Sequence, residues 1–312
     1  MNTRDRTLVT LVAALFVLLV LGALLPPWQF LATVALAKGC AVLGLMLLLR
    51  TGLVSFGQGL YFCLGAYSAG SLGQFLGVTD ALVLLAAGSL VAAAVAVVLG
   101  FLLANYRSIF FAMLSLALSM ILYGLLVKSQ ALGSTDGFNL APATLAGRAI
   151  SGHDGRFFLY ALACIVAFAA ALTLDRYFKT PLGRLAAAIR DNELRVEYMG
   201  ASVRQAIHVK YVIACALAGL GGALTGLTVG HIDPEMAYWT TSGEFVFVAI
   251  LAGTGSVAAP FLGSILFEIV RSVAYQYSPN TWQLALGTAM LLVIMFLPNG
   301  LWSIFATRGK AA

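Results

Sequence analysis

The chain has 312 residues, of which 61% are hydrophobic and only 10% are charged, and its mean hydropathy is +0.97. Soluble domains carry about 25% charged residues, so this composition excludes an ordinary water-soluble protein and places the chain in lipid. The 18 Lys and Arg residues exceed the 12 Asp and Glu residues, but in a membrane protein that excess reports the orientation of loops and not nucleic-acid binding.

Nine apolar runs approach or exceed the length of about 20 residues that crosses a bilayer. In chain order they are 8–25, 31–49, 58–76, 81–104, 108–127, 157–174, 210–231, 244–271 and 283–301. The first is too long for a secretory signal and lacks a small-residue cleavage site, so we interpret it as a retained span. The sequence predicts an all-α polytopic membrane protein of one domain, residues 1–312, with nine to ten transmembrane segments.

The run 244–271 is expected to be interrupted, because it contains GTGSVAAPFLG at 253–263. Three glycines and a proline weaken a helix, and non-helical backbone at membrane depth must be buried in protein or line a wet cavity. Two short helices in place of one give ten segments. They also place a tail with Arg308 and Lys310 on the same side as the other basic loops.

Basic residues concentrate in segment 175–210, which holds seven of the 18. The positive-inside rule places this segment in the cytoplasm, and alternation then places both termini, Arg50 and Arg107 on the same side. Segment 128–156 becomes an external loop, too short for a domain core of its own.

The stretch TPLGRLAAAIRDNELRVEYMGA, residues 180–201, gathers charges of both signs within an otherwise apolar chain. Thr180 is a predicted N-cap, Pro181 takes the first helical position and Gly200 follows the last turn. A single amphipathic helix is therefore predicted over 180–200. Its apolar face is formed by Leu185, Ala188, Ile189, Asn192, Val196 and Met199. Mixed charges favour a protein partner over anionic lipid; a solvated structural loop is the alternative.

Ionisable residues also fall within the spans. Lys38 is expected to snorkel to the outer interface, because a buried ammonium costs about 2.5–3.5 kcal/mol at a helix centre; a role in a solute path is the alternative. Glu244 is expected at the outer end of its span. Glu268 and Arg271, three apart on one helical face, are expected to pair with each other.

Polar side chains that could border a solute path lie in three places: the glycine-rich segment 52–69, the fifth span and the predicted interruption. The candidates are Ser55, Gln58, Tyr61, Ser115, Ser119, Thr254 and Ser256. An interrupted helix at 52–69 could expose backbone groups to a solute, but the glycines could equally allow close helix packing. Serines in the fifth span could line the path or bond back to their own helix.

Signatures of catalysis are absent from the sequence. No Walker-type GxxxxGK[ST], HExxH or GxSxG occurs, the four cysteines form no CxxC pair, and the three histidines are scattered. No catalytic residue, metal site or cofactor is predicted in this chain, and an integral-membrane enzyme is disfavoured.

The run GRLAAAIRDNELRVEYMG, residues 183–200, resembles the cytoplasmic coupling loop of ABC importer permeases. Within that class the chain is similar to branched-chain amino-acid permease subunits of the M type. Three further stretches agree: GLVSFGQGLYFCLGAYSA at 52–69, GSTDGF at 133–138, and DPEMAYWTTSGEFVFVAILAGTGSVAAPFLG at 233–263. The resemblance covers roughly residues 31–300. Gln58 stands where the family usually has His, and Met46 where Asn is common, which leaves the solute open.

The resemblance implies a permease subunit that passes a branched-chain or other amino acid from a periplasmic binding protein to the cytoplasm. It would lie in a bacterial inner membrane, among lipid and with cytoplasmic termini, beside a second homologous permease subunit. Two cytoplasmic ATPase subunits would hold ATP and magnesium. Importers of urea, short amides or small carboxylates are the alternatives, followed by an ion-coupled secondary transporter.

Segment 175–210 would then be the coupling loop, and its helix would be the coupling helix that meets an ATPase subunit. The residues assigned to this contact by the resemblance are Gly183, Arg184, Ile189, Arg190, Glu193 and Gly200.

Overall fold

The computed structural model describes residues 3–140, 142–145, 148–149, 152–277, 281–296 and 300–303. Within these ranges helices dominate, which confirms the all-α prediction. The helices are α1 Thr3–Leu24, α2 Gln29–Leu49, α3 Gln58–Leu76, α4 Ala81–Leu103, α5 Ser108–Lys128, α6 Gly152–Phe178, α7 Pro181–Asp191, α8 Glu193–Tyr198, α9 Val203–Val229, α10 Trp239–Ala252, α11 Ala259–Tyr277 and α12 Trp282–Phe296. The basic tail with Arg308 and Lys310 lies outside the described residues.

Several of these helices can cross a bilayer. Those long and apolar enough by length and composition are Pro26–Leu49, Ala81–Leu103, Ser108–Lys128, Gly155–Phe178 and Val203–Val229. Val9–Leu24 and Trp239–Ala252 are shorter apolar helices. The chain is thus a multi-pass membrane protein.

Four two-residue strands lie outside the helices. Strand β1, Phe138–Asn139, pairs antiparallel with β4, His231–Ile232, and β2, Thr144–Leu145, pairs with β3, Arg148–Ala149. The β1–β4 pair connects the segment between α5 and α6 to the residues that follow α9.

Helix α9 forms the centre of the bundle, where it packs along α2, α3 and α4. Glycines make this packing close. A Cβ atom on Gly222 would lie 1.8 Å from the carbonyl oxygen of Phe62, and one on Gly65 would lie 2.0 Å from that of Gly219. Backbones that approach to this distance are typical of small-residue packing in membranes. Gly65, in the glycine-rich segment, therefore serves helix packing.

Gly222→Ala is expected to destabilise the bundle by about 1–3 kcal/mol, because its methyl group forces α9 away from α3. The unfolding temperature of the purified protein in detergent measures this effect. Gly124→Ala in α5 is the matched control, since nothing lies within 4 Å of the added atom. Equal unfolding temperatures for the two variants would contradict the packing argument.

The predicted interruption is confirmed, since α10 ends at Ala252 and α11 begins at Ala259. The freed backbone finds partners within the protein. Arg50, after the last residue of α2, donates from Nε and Nη2 to the carbonyl oxygen of Thr254 at 2.9 and 2.6 Å. The N–H of Leu301 donates to the carbonyl oxygen of Leu251 at 2.8 Å. Residues 300–303 therefore close the interruption.

The prediction of one helix over 180–200 is wrong, because α7 and α8 are separate. Asn192 leaves the helical conformation at φ −162° and ψ 104°, and its side chain accepts a hydrogen bond from the N–H of Arg195 at 3.0 Å. Asn side chains compete with helix continuation in this way. Asn192 is thus a cap and not part of an apolar face, and Ala188 and Met199 are exposed.

The predicted ends of this region are confirmed. Thr180 caps α7 by accepting from the N–H of Gly183 at 3.2 Å, and Gly200 has φ +85°. Residues 175–178 belong to α6 and residues 203–210 to α9, so the connecting segment is 179–202.

Candidate functional site

Helices α7 and α8 present an exposed surface at one end of the bundle, which we call the coupling surface. Its large apolar side chains are exposed by 45% at Leu182, 65% at Leu194, 89% at Tyr198 and 81% at Met199. Charged residues of both signs surround them. Four exposed large apolar side chains favour a docking site for a protein over a solvated structural loop.

Buried residues of α7 and α8 pack the coupling surface against the bundle. Ile189 is 2% exposed and Val196 3% exposed, and both belong to the core that contains α2 and α9 residues. Gly183 allows close contact with α6, because a Cβ there would lie 2.1 Å from the carbonyl oxygen of Tyr177. Arg184 and Arg190 are exposed.

An ion pair ties α8 to the turn between α4 and α5. Nε of Arg107 lies 2.8 Å from both carboxylate oxygens of Glu193, and Nη1 of Arg107 donates to the carbonyl oxygen of Ala104 at 2.7 Å. Glu193 therefore orients the coupling surface from within the chain. No local pattern around Glu193 indicates this partner, which is 86 positions away.

The predicted path serines are buried and bond inside the chain. The hydroxyl of Ser115 accepts from the N–H of Phe56 at 3.1 Å and donates to the carbonyl oxygen of Ala112 at 2.9 Å. Ser119 donates to the carbonyl oxygen of Ala237 at 2.8 Å. These hydrogen bonds hold the non-helical segment before α3 and the turn before α10 against α5. They account for both hydroxyl groups without a solute, and the path role of these serines stays a prediction.

Three other candidates lie around the start of α3. Ser55 accepts from the N–H of Gly57 at 3.2 Å, and Tyr61 accepts from the hydroxyl of Tyr211 at 2.9 Å. Gln58 is fully buried, and neither its amide nitrogen nor its amide oxygen has a hydrogen-bond partner among the described residues. The amide group of Gln58 is thus unpaired within the part of the chain that the structure describes.

Thr254 and Ser256 belong to a different place, the interruption between α10 and α11. The carbonyl oxygen of Thr254 is held by Arg50, and Ser256 accepts from the N–H of Ala258 at 3.3 Å. The guanidinium group of Arg50 lies 4.0 Å from the ring centroid of Phe178, at the end of α6 that precedes α7. The interruption therefore lies at the end of the bundle that carries the coupling surface.

Four charged residues form what we call the ion cluster: Lys38, Glu244, Glu268 and Arg271. Nζ of Lys38 lies 2.7 Å from Oε1 of Glu244 and 2.6 Å from Oε1 of Glu268. Nη1 of Arg271 lies 3.3 Å from Oε1 of Glu244 and 3.7 Å from Oε1 of Glu268. The cluster joins α2, α10 and α11, and its formal charge is zero.

The ion cluster corrects two predictions and confirms one. Lys38 does not snorkel to an interface, because it is the tenth of 21 residues in α2 and pairs with two carboxylates. Glu244 pairs with Lys38 and is the sixth of 14 residues in α10, so it does not lie at the outer end of its helix. The pairing of Glu268 with Arg271 is confirmed. The predicted span ends gave no signal for the meeting of both carboxylates at Lys38, because Glu244 and Glu268 fall near opposite ends of the run 244–271.

Lys210 lies two turns inside α9, fully buried, and its Nζ has no hydrogen-bond partner within the described ranges. A buried ammonium without partners opposes folding. Lys210→Met, which keeps the unbranched chain, is therefore expected to raise the unfolding temperature of the purified protein. Lys179→Met, at a half-buried ion pair with Asp175, is the control. A lower unfolding temperature for Lys210→Met would reveal a partner for this ammonium.

Comparison with known proteins decides the family. The profile described as "Branched-chain amino acid transport system / permease component" matches residues 28–295. The chain belongs to this permease family. The match covers the bundle from α2 to the end of α12 almost completely, including the coupling surface and the ion cluster.

Curated relatives of this permease are named as parts of amino-acid transport systems. The chain is 28% identical over 273 residues to the high-affinity branched-chain amino acid transport system permease protein LivM of Escherichia coli K12, covering 80% of this chain and 64% of LivM. It is 25% identical over 167 residues to LivH of the same strain, covering 51% of this chain and 54% of LivH.

A third relative comes from an archaeon. The chain is 25% identical over 166 residues to a probable branched-chain amino acid transport permease protein LivM of Methanocaldococcus jannaschii, covering 49% of this chain and 48% of that protein. The permease thus spans less than two thirds of the length of these relatives. No solved structure is a significant match to it.

Proposed function

We propose that the chain is the permease subunit of an ABC importer that passes an amino acid through the membrane, driven by ATP hydrolysed in separate subunits. The observation that carries this proposal is the coupling surface. It combines exposed apolar side chains with mixed charges on two short helices, and buried Ile189 and the Arg107–Glu193 pair fix it to the bundle. A rigid attachment of this kind transmits the movement of a bound motor to the spans.

The partners follow from this function. Two cytoplasmic ATPase subunits bind the coupling surfaces and hold ATP with magnesium, and a periplasmic binding protein delivers the solute. A second homologous permease subunit completes the path, which is supported by the similarity of the chain to both LivM and LivH. Branched-chain amino acids are the first solutes to test, followed by urea, short amides and small carboxylates.

Reconstitution tests this function. The chain is placed in liposomes with a second permease, ATPase subunits and a binding protein from the same organism, and uptake of radiolabelled leucine, urea and acetamide is measured with and without internal ATP. ATP-dependent uptake that requires every subunit is expected. Uptake by the chain alone, driven by an ion gradient, would instead assign it to the secondary transporters.

Labelling in intact cells tests the orientation. The four native cysteines are buried, so Arg190→Cys introduces an exposed thiol on the coupling surface. We expect a membrane-impermeant maleimide to label it only after the inner membrane is opened, and a tag after Ala312 to be equally protected. Labelling of Cys at this position in unopened spheroplasts would reverse the topology and exclude docking of a cytoplasmic ATPase.

A further inference from the structure

The ion cluster lies near the middle of three membrane helices. Lys38 is the tenth of 21 residues in α2, Glu268 the tenth of 19 in α11, and Glu244 the sixth of 14 in α10. At 1.5 Å per residue, Lys38 lies about 18 Å from Arg50 at the end of α2. The hydrocarbon core of a bilayer is about 30 Å thick, so with Arg50 at its edge we expect the cluster inside the core.

The ion cluster is not sealed inside the bundle. The exposed fractions of its side chains are 14% for Lys38, 20% for Glu244, 12% for Glu268 and 38% for Arg271. Contact of these charges with lipid tails would be costly, and ionisable groups at this depth face a bundle interior or a wet cavity. The exposed edge of the cluster is therefore the side from which a polar solute would reach these charges.

The charges of the cluster match one class of solute. An α-amino acid carries one carboxylate and one ammonium group a few ångströms apart, and both need partners when they leave water. The cluster offers two cations on α2 and α11 and two carboxylates on α10 and α11, each already in charge-assisted contact with the opposite sign. An entering zwitterion can exchange partners with these groups, so that every charge remains paired.

We propose that the ion cluster is a binding site for the zwitterionic head group of the transported amino acid. Lys38 and Arg271 bind its carboxylate, and Glu244 and Glu268 bind its ammonium group. This assignment rests on the proposed function and narrows its solute. A zwitterion leaves the cluster with zero net charge, whereas a lone carboxylate leaves one uncompensated charge at mid-membrane, and urea or an amide offers no charge to either pair.

A purely structural clamp is the competing explanation, and one variant separates the two. Replacement of a whole buried ion network by apolar residues of similar volume is often neutral or stabilising, whereas removal of one partner is not. The variant therefore combines Lys38→Met, Glu244→Met, Glu268→Met and Arg271→Met. Complete complexes with wild-type or variant permease are reconstituted, and ATP-dependent leucine uptake and co-purification of the ATPase subunits are measured.

If the cluster binds the zwitterion, the variant complex assembles and its leucine uptake falls at least 100-fold. Leucine uptake within threefold of wild type by an assembled variant overturns the proposal and leaves a clamp. Failure of the wild-type complex to take up leucine with ATP is a different result, since it counts against the proposed function and is seen before any variant is compared.

Photolabelling of the wild-type complex decides the question even when the variant does not assemble. L-Photo-leucine, which carries a diazirine in its side chain, is irradiated with the complex, and labelled peptides are identified by mass spectrometry. We expect label near the cluster, for example on Phe247, which is 53% exposed one turn beyond Glu244, and loss of that label with excess leucine. Competed label confined to other helices, or no competed label, overturns the site.

Discussion

Glu193→Lys is expected to reduce co-purification of the ATPase subunits at least tenfold and to abolish ATP-dependent uptake. The substitution replaces the 2.8 Å contact between Arg107 and Glu193 with two facing cations. Helix α8 then loses its attachment to the turn between α4 and α5, and with it the orientation of Leu194 and Tyr198. Quantitative pull-down from detergent and uptake in liposomes measure the two effects.

Two further variants show whether the pair or the carboxylate itself matters. Glu197→Lys changes the same charge on α8, at an exposed position outside any ion pair that the described structure contains, and should retain most of the ATPase binding. Combining Arg107→Glu with Glu193→Lys restores opposite charges and should recover association. Equal loss in the single and the exchanged variants would show that Glu193 contacts the ATPase directly.

Lys38→Met alone is expected to lower the free energy of unfolding by about 3–5 kcal/mol, because removing one partner of a buried ion network leaves uncompensated charge. Two carboxylates, Glu244 and Glu268, then share Arg271 at mid-membrane. Chemical denaturation of the purified permease, followed by tryptophan fluorescence, measures the change.

Charge compensation provides the control for this variant. Adding Glu268→Gln to Lys38→Met returns the cluster to zero net charge and should recover part of the lost stability. Lys179→Met removes a lysine from a half-buried pair and should change stability by less than about 1 kcal/mol. If Lys38→Met and Lys179→Met had the same free energy of unfolding, the ion pairs of Lys38 would not contribute to the stability of the permease.

The sequence was most informative where a local rule acts alone. Apolar length located the helices that are long and apolar enough to cross a bilayer, and the glycines and proline of 253–263 located the interruption between α10 and α11. Thr180 and Gly200 marked the ends of the coupling segment, because caps depend on a few adjacent residues. The same rules failed at Asn192, which ends α7 and caps the start of α8. Apolar spacing could not distinguish this break from one continuous helix.

Contacts distant in sequence were beyond such rules. The sequence analysis treated Lys38, Glu244 and Glu268 each as part of one isolated helix. In an isolated helix, the ammonium group of a lysine at that depth is more stable at the membrane interface. In the folded bundle, α10 and α11 bring the carboxylates of Glu244 and Glu268 to Lys38, and these pairs stabilise its ammonium group away from the interface. Arg107 and Glu193 are a second case, since neither residue's surroundings indicate the other. Ser115 and Ser119 in the fifth span suggested a solute path, but the hydrogen bonds of both residues depend on which segments fold against α5.

The closure of the interruption by residues 300–303 has a consequence for biosynthesis. A growing chain emerges in order, so the backbone freed between α10 and α11 is synthesised before residues 300–303, which are its neighbours in the folded bundle. Until Leu301 is synthesised, the carbonyl group of Leu251 lacks that partner, whereas Arg50 can already bind the carbonyl oxygen of Thr254. Residues 300–303 therefore reach the interruption only after α12 has been synthesised, and termination before Gly300 would leave the end of α10 without these contacts.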